Sequence, residues 1–186
     1  MNLAWGDEKT QSFTTNIGLI TSNGPHGHNI MACEWTHYVS YAPALIVLAI
    51  RTHKATYKNI IASKEFGINI AAEEHSNISP VAGNNSGHDV DKIKVLEELG
   101  VNFYKAKKID VLMIQGASMN AECKLIKTVD VGDHPLLIGE IVNISHEIKS
   151  PLLYHQTKYF KVGERIPKPP QEYLDKIKTL VEKYKR

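Results

Sequence analysis

The chain is poor in the features that place a protein quickly, and each shortage removes a class. Cysteine occurs only at Cys33 and Cys123, so the dense disulfide framework of a small secreted domain is excluded. The pair lacks Cys-x-x-Cys spacing and reads as two free, inert thiols. No apolar run approaches the roughly 18 residues of a membrane-crossing helix, and no basic segment followed by an apolar one opens the chain. Neither sign of charge prevails. Lys and Arg number 22 against 20 Asp and Glu, a net charge of +2, without the concentrated basic face of a nucleic-acid binder. These shortages lead us to expect a soluble, cytoplasmic protein that engages neither membrane nor nucleic acid.

Catalytic signatures are missing as well. The sequence contains no Gly-x-Gly-x-x-Gly after a strand, no phosphate-loop Gly-x-x-x-x-Gly-Lys-[Ser/Thr], no His-Glu-x-x-His and no Gly-x-Ser-x-Gly. Rossmann dehydrogenases, P-loop enzymes, zincins and α/β-hydrolases therefore lose their support. Nine histidines raise the question of a metal, and His26, His28 and His88 or Asp91 carry suitable donors. Their spacing matches no strong metal motif, and histidines in a Gly/Pro turn are more often solvated.

What is present suffices for one folded domain over 1–186, with 42% hydrophobic and 23% charged residues. Residues 16–22 read as a strand, 23–27 as a turn, and 30–40 as a second extended run. The apolar run 44–50 predicts a strand buried on both faces. Thr52 is placed to cap a helix over 53–63, and 66–71 alternates as a half-buried strand does. The polar stretch 74–90 predicts a loop with at most one helical turn. Residues 91–99 form an amphipathic helix closed by Gly100, and 117–131 with 136–148 make a long hairpin around Gly132-Asp133-His134-Pro135. The prolines of 167–170 stop regular structure before a C-terminal helix over 171–185. Strands in this order, without a repeating βαβ pattern, predict an antiparallel barrel.

The informative stretch is Asn29-Ile-Met31-Ala32-Cys33-Glu34-Trp35-Thr36, continued by Val39-Ser40, Pro43, Arg51-Thr52 and Thr56. Phe66-Gly-Ile-Asn-Ile70, Ser86-Gly87 with Asp91-Lys92, Ala121-Glu-Cys123, Gly132-Asp-His134, Gly139-Glu-Ile-Val142, Pro151-Leu-Leu-Tyr154 and Tyr159-Phe160 follow in order. Over residues 12–163 this pattern resembles the flavin reductase and flavoredoxin family. The resemblance implies a mainly β, six- to seven-stranded antiparallel split barrel with inserted helices and a C-terminal helix. It implies FMN bound non-covalently in a groove of a homodimer, reduced by a nicotinamide, NAD(P)H, or by a protein donor.

The residues that the resemblance directs toward FMN are Asn29, Met31, Ala32, Cys33, Trp35, Thr36, Ser40, Arg51, His53, Lys54, Thr56, Ser86, Lys92, His134 and Phe160. Their chemistry suits that role, because a strand offers backbone N–H groups and an aromatic wall to a flavin ring. Arg51, His53, Lys54 and Thr56 can gather donors and charge for a phosphate at a helix N-terminus. Lys92 is a cation that could serve either phosphate or ring. Glu34 departs from the small residue that many relatives carry, so it is expected to face away from the ligand. No acid or base for catalysis stands out. Two other readings share parts of this evidence: a non-catalytic FMN-binding electron carrier, and a flavin-free barrel that binds metal or serves structure.

Overall fold

The computed structural model describes residues 1–3 and 6–185. Five strands open the chain: β1 (Thr15–Asn16), β2 (Gly18–Ser22), β3 (Asn29–Cys33), β4 (Thr36–Tyr41) and β5 (Ala44–Ala49). Helix α1 (Ala55–Ser63) and strand β6 (Glu65–Ile70) lead into α2 (Ile78–Asn84) and α3 (Lys92–Glu98). A small hairpin, β7 (Phe103–Lys105) with β8 (Leu112–Ile114), precedes the long one, β9 (Met119–Val129) with β10 (Leu136–His146). Strands β11 (Leu153–His155) and β12 (Lys158–Phe160) and helix α4 (Gln171–Lys183) complete it.

Seven strands make one antiparallel sheet in the order β3-β2-β6-β9-β10-β5-β4. Its two edge strands, β3 and β4, are separated in sequence only by Glu34 and Trp35. Three Cα steps span at most about 11 Å, so the sheet must curl until its edges nearly meet. The Thr36 hydroxyl donates to the Cys33 carbonyl at 3.4 Å across that joint. The result is the mainly β split barrel expected. The extended run anticipated over 30–40 is thus two strands on opposite edges, because the chain turns at a pair without Gly, Pro or Asn to mark it.

Packing follows the alternation of side chains. Ile20, Ile46, Leu48, Phe66, Ile68 and Leu137 fill the inside of the curl, and α1 adds Ile60 to them. Gly139 has no side chain because a Cβ there would collide with the Phe66 ring. Outside the curl, Leu19 and Ile30 pack with Ile78, Ala82, Ile93 and Leu96 of the short helices. Strand β2 contributes to both cores, which is why all five of its residues are buried.

Three local expectations change. Helix α1 begins at Ala55 with Lys54 at its N-cap and no side-chain cap, so Thr52 lies too far upstream to close it. The stretch 74–90 is a loop only past Asn84: a 3-10 segment, Glu73–Asn77, runs into α2. Ile78 and Ala82, four apart, bury one face, and Pro80 sits in the first turn where its missing N–H costs nothing. Strand β5 is buried on one face only, since Ile46 and Leu48 point into the curl while Leu45 and Val47 stay half-buried beside the edge strand. Helix α4 buries no residue and leaves Tyr173, Ile177, Leu180 and Val181 exposed, as is Tyr184 just past its end. No helix among the described residues is long and apolar enough to cross a membrane.

Candidate functional site

Two groups of the sequence-selected residues come together on the barrel rim, joined by residues 51–54. The first surrounds the N-terminus of α1. The Asn29 carboxamide donates to the Thr56 hydroxyl at 2.8 Å, and both residues are buried, so β3 is tied to the first turn of the helix. A Cβ at Gly87 would collide with the Asn29 side chain, so a larger residue there would push the carboxamide off Thr56. Loop 86–91 is stitched over this point: Ser86 Oγ accepts from the His88 N–H at 3.1 Å, and His88 Nε2 meets the His53 carbonyl at 2.9 Å. A carbonyl can only accept, so that imidazole carries its proton on Nε2.

With no side-chain cap, the first-turn N–H groups of α1 have no side-chain acceptor, and the positive end of the helix dipole stands open. Lys54 occupies the cap position, and Arg51 and His53 precede it. Lys92 comes from the opposite side, almost wholly buried, and donates Nζ to the Ala82 carbonyl at 3.0 Å and the Asn85 carbonyl at 3.2 Å. Burial, and then the nearby Lys54, lower its pKa to about 8. An ammonium has three protons, so one is left beyond these two bonds. Cations that converge on an uncapped helix end fit an anionic group such as a phosphate.

The second group holds Trp35, Arg51 and His134. The Trp35 ring is 56% exposed and lies over the His134 imidazole, centroids 4.6 Å apart, so it is no core aromatic. Arg51 pairs with Asp133 at 3.1 Å, and His134 Nδ1 bonds the other Asp133 oxygen at 2.8 Å. That bond to His134 is the largest influence holding the Asp133 carboxyl below its usual range. Thr36 is buried at the strand joint beside Trp35.

Other selected residues are distributed differently. Met31 and Cys33 turn their side chains into the barrel core, leaving only their backbone for a ligand. Burial pushes the Cys33 thiol up, and Cys123, in the same core, is raised by the same cause. Ala32 faces outward into a cavity of about 190 Å³ shared with Glu34, Gly83, Tyr154 and Tyr159. Desolvation there raises the Glu34 carboxyl. Phe160 is exposed on β12 beside His155, in the separate β1-β11-β12 sheet. Ser40 lies past a bulge in β4, about 13 Å along the strand from Thr36, and joins neither group. Sequence reasoning named His88 only as a possible metal donor and Asp133 only as part of the Gly132-Asp133-His134 motif, and selected neither for the site, because nothing local shows which side chains a loop residue meets.

A larger cavity, about 460 Å³, adjoins the first group and shares Asn29 with it. Among the described residues no three His, Cys, Asp or Glu side chains converge as metal ligands, so the His26, His28 and His88 set is not gathered for a metal.

Asn29→Ala is expected to cost about 1–3 kcal/mol of stability in denaturant unfolding, because the buried Thr56 hydroxyl loses its partner. Trp35→Ala, at an exposed ring, is expected to stay within about 0.5 kcal/mol of the unsubstituted protein.

The curled antiparallel half-barrel with helices packed outside it defines the fold class. The description "Flavin reductase like domain" matches residues 10–163, and the chain belongs to that family. It is 32% identical over 128 residues to an uncharacterized protein of Archaeoglobus fulgidus, covering 69% of this chain and 70% of the relative. It is similar to the FMN reductase (NADH) RutF of Pseudomonas syringae, 22% identical over 81% of this chain and 82% of the relative. The structure resembles the flavoredoxin of Desulfovibrio vulgaris with a TM-score of 0.75 and 24% identity, over 90% of this chain and 97% of that one.

Proposed function

We propose that the protein binds FMN non-covalently and uses it to pass a hydride from a reduced nicotinamide to an acceptor. The observation that carries this reading is the uncapped N-terminus of α1, with Lys54 at its cap position and the buried Lys92 near enough to Lys54 for the two charges to act on each other. The phosphate would be held there by first-turn N–H groups and these cations. The ring would lie along β3, taking hydrogen bonds from backbone N–H groups near Ala32 and Cys33, with Trp35 as a wall. When bound, the flavin supplies the hydride-accepting chemistry, so this chain needs to bind, orient and leave one face open.

A homodimer is part of the same proposal. Leu45 and Val47 of β5 and Ile138 of β10 form a half-buried apolar patch on the outer face of the barrel, Val47 directly opposite Ile138. A self-complementary patch of this kind suits a two-fold interface.

The visible spectrum after addition of FMN is the first test, followed by steady-state NADH oxidation and light scattering of the same sample. A flavin spectrum, turnover and a dimer are expected. A colourless protein overturns the reading, and a coloured one without turnover makes it an electron carrier. For the wall, Trp35→Ala should weaken FMN binding while apoprotein stability holds; unchanged affinity would remove Trp35 from the site.

A further inference from the structure

The smaller cavity, about 190 Å³, is lined by one charged residue, Glu34, and by no Lys, Arg or His to answer it. We propose that it binds a small organic cation, an alkylammonium, against the Glu34 carboxylate and the rings of Tyr154 and Tyr159. The site goes beyond the flavin reading and does not require it, because Ala32 and Cys33 of β3 are the only lining residues that have a part in that reading.

Three elements build the walls. The Cys33 side chain turns into the barrel core, whereas its neighbours Ala32 and Glu34 border the cavity outside the sheet. Helix α2 comes close on the other side: a Cβ added at Gly83 would lie 3.4 Å from that of Ala32, so the glycine keeps space open for a ligand. Tyr154 and Tyr159 stand opposite each other in the register of β11 and β12, and their rings meet with centroids 5.8 Å apart at 53°.

The chemistry of this lining selects a cation. Glu34 is exposed enough to be reached, yet burial raises its carboxyl pKa and neither a hydrogen bond nor a neighbouring cation opposes that rise. Its charge also acts on Tyr154, whose phenol is raised first by burial and then by Glu34, so the carboxylate lies near that ring. A quaternary ammonium is drawn both to a carboxylate and to the negative faces of aromatic rings, and it needs no hydrogen-bond acceptor. An anion entering the cavity would meet Glu34 with no compensating charge, which rejects it. The volume lies below the roughly 300 Å³ at which drug-sized sites begin, so the occupant is small.

Calorimetry with choline and with dimethylbutanol, its uncharged carbon isostere, tests the site on the full chain with and without FMN, at a pH well above the carboxylate range. Choline is expected to bind about tenfold more tightly than the alcohol. Glu34→Gln should bring the two ligands to within about threefold, and Tyr159→Leu should weaken choline about fivefold, with thermal stability held in both variants. Equal binding of the two ligands, a preference that survives Glu34→Gln, or unchanged choline affinity in Tyr159→Leu overturns the proposal. Choline affinity should agree within about twofold whether or not FMN is bound. Binding abolished by FMN overturns the proposal too, by giving the cavity to the flavin. The two readings fail separately: a colourless protein that binds choline fails only the flavin reading, and a coloured one that ignores choline fails only the cation site.

Discussion

FMN is expected to bind roughly 100-fold more tightly than riboflavin, which differs only by the phosphate. Hydrogen bonds to a charged group contribute about 1.5–3 kcal/mol each, and two of them at the lower figure give about 3 kcal/mol, hence the factor. The donors are the uncapped first turn of α1 and Lys54 at its cap, with Arg51 and the His53 imidazole just upstream. Arg51 is now paired with Asp133 on the surface, and an exposed pair of this kind is worth little, so it can turn to the phosphate without much loss. Part of the advantage should fade as salt is raised, because the groups lie near solvent. Calorimetry with both ligands at two ionic strengths checks the result. Equal affinities would remove the phosphate from this end of the barrel.

How much of this could be read beforehand depended on whether local chemistry or tertiary packing decided the element. The long β9/β10 hairpin was legible because its turn is marked by Gly132 and Pro135 between two alternating runs. Closure of the barrel was not, since Glu34 and Trp35 carry no turn signal and only the pairing of β3 and β4 at opposite edges reveals the bend. Helix α2 was hidden in a polar sequence, and its two buried residues, Ile78 and Ala82, matter only because a second core exists outside the sheet to receive them. The residue types that gather at α1 were visible as a series of donors. Their absent cap was not, because Thr52 looked able to supply one.

Lys92 shows the same limit from the other side. A lysine at the start of a short amphipathic helix reads as solvated charge, yet it lies four residues before Leu96 and therefore on the buried stripe with it. Its two bonds to carbonyls at the end of α2 hold the turn into loop 86–91, so the residue supports the site's frame as well as its charge.

The charge on Lys92 yields the second large effect. Burial favours the neutral amine, and a pKa of about 8 against an ordinary 10.5 means that the folded protein holds this proton less firmly than the unfolded chain. Below pH 8 both states carry it and the cost of the buried charge is fully present. Between pH 8 and 10.5 the unfolded chain binds more proton, so apoprotein stability should rise with pH across that window. A phosphate beside Lys92 and Lys54 reverses the balance, because a dianion favours the charged amine. FMN affinity should consequently fall as pH is raised through about 8, the phosphate itself already being dianionic above its second pKa of about 6. Lys92→Met should lower affinity about tenfold at pH 7 and flatten this pH dependence. Because Lys54 is the neighbour that depresses its pKa, Lys92 is expected on the phosphate side, where oxidised and reduced FMN weaken alike and the midpoint potential hardly moves. A lowered potential, with reduced FMN bound less well than oxidised, would instead place the amine against the ring, where it would stabilise charge gained on reduction. Unchanged affinity and unchanged potential together would leave Lys92 with only its structural bonds to Ala82 and Asn85.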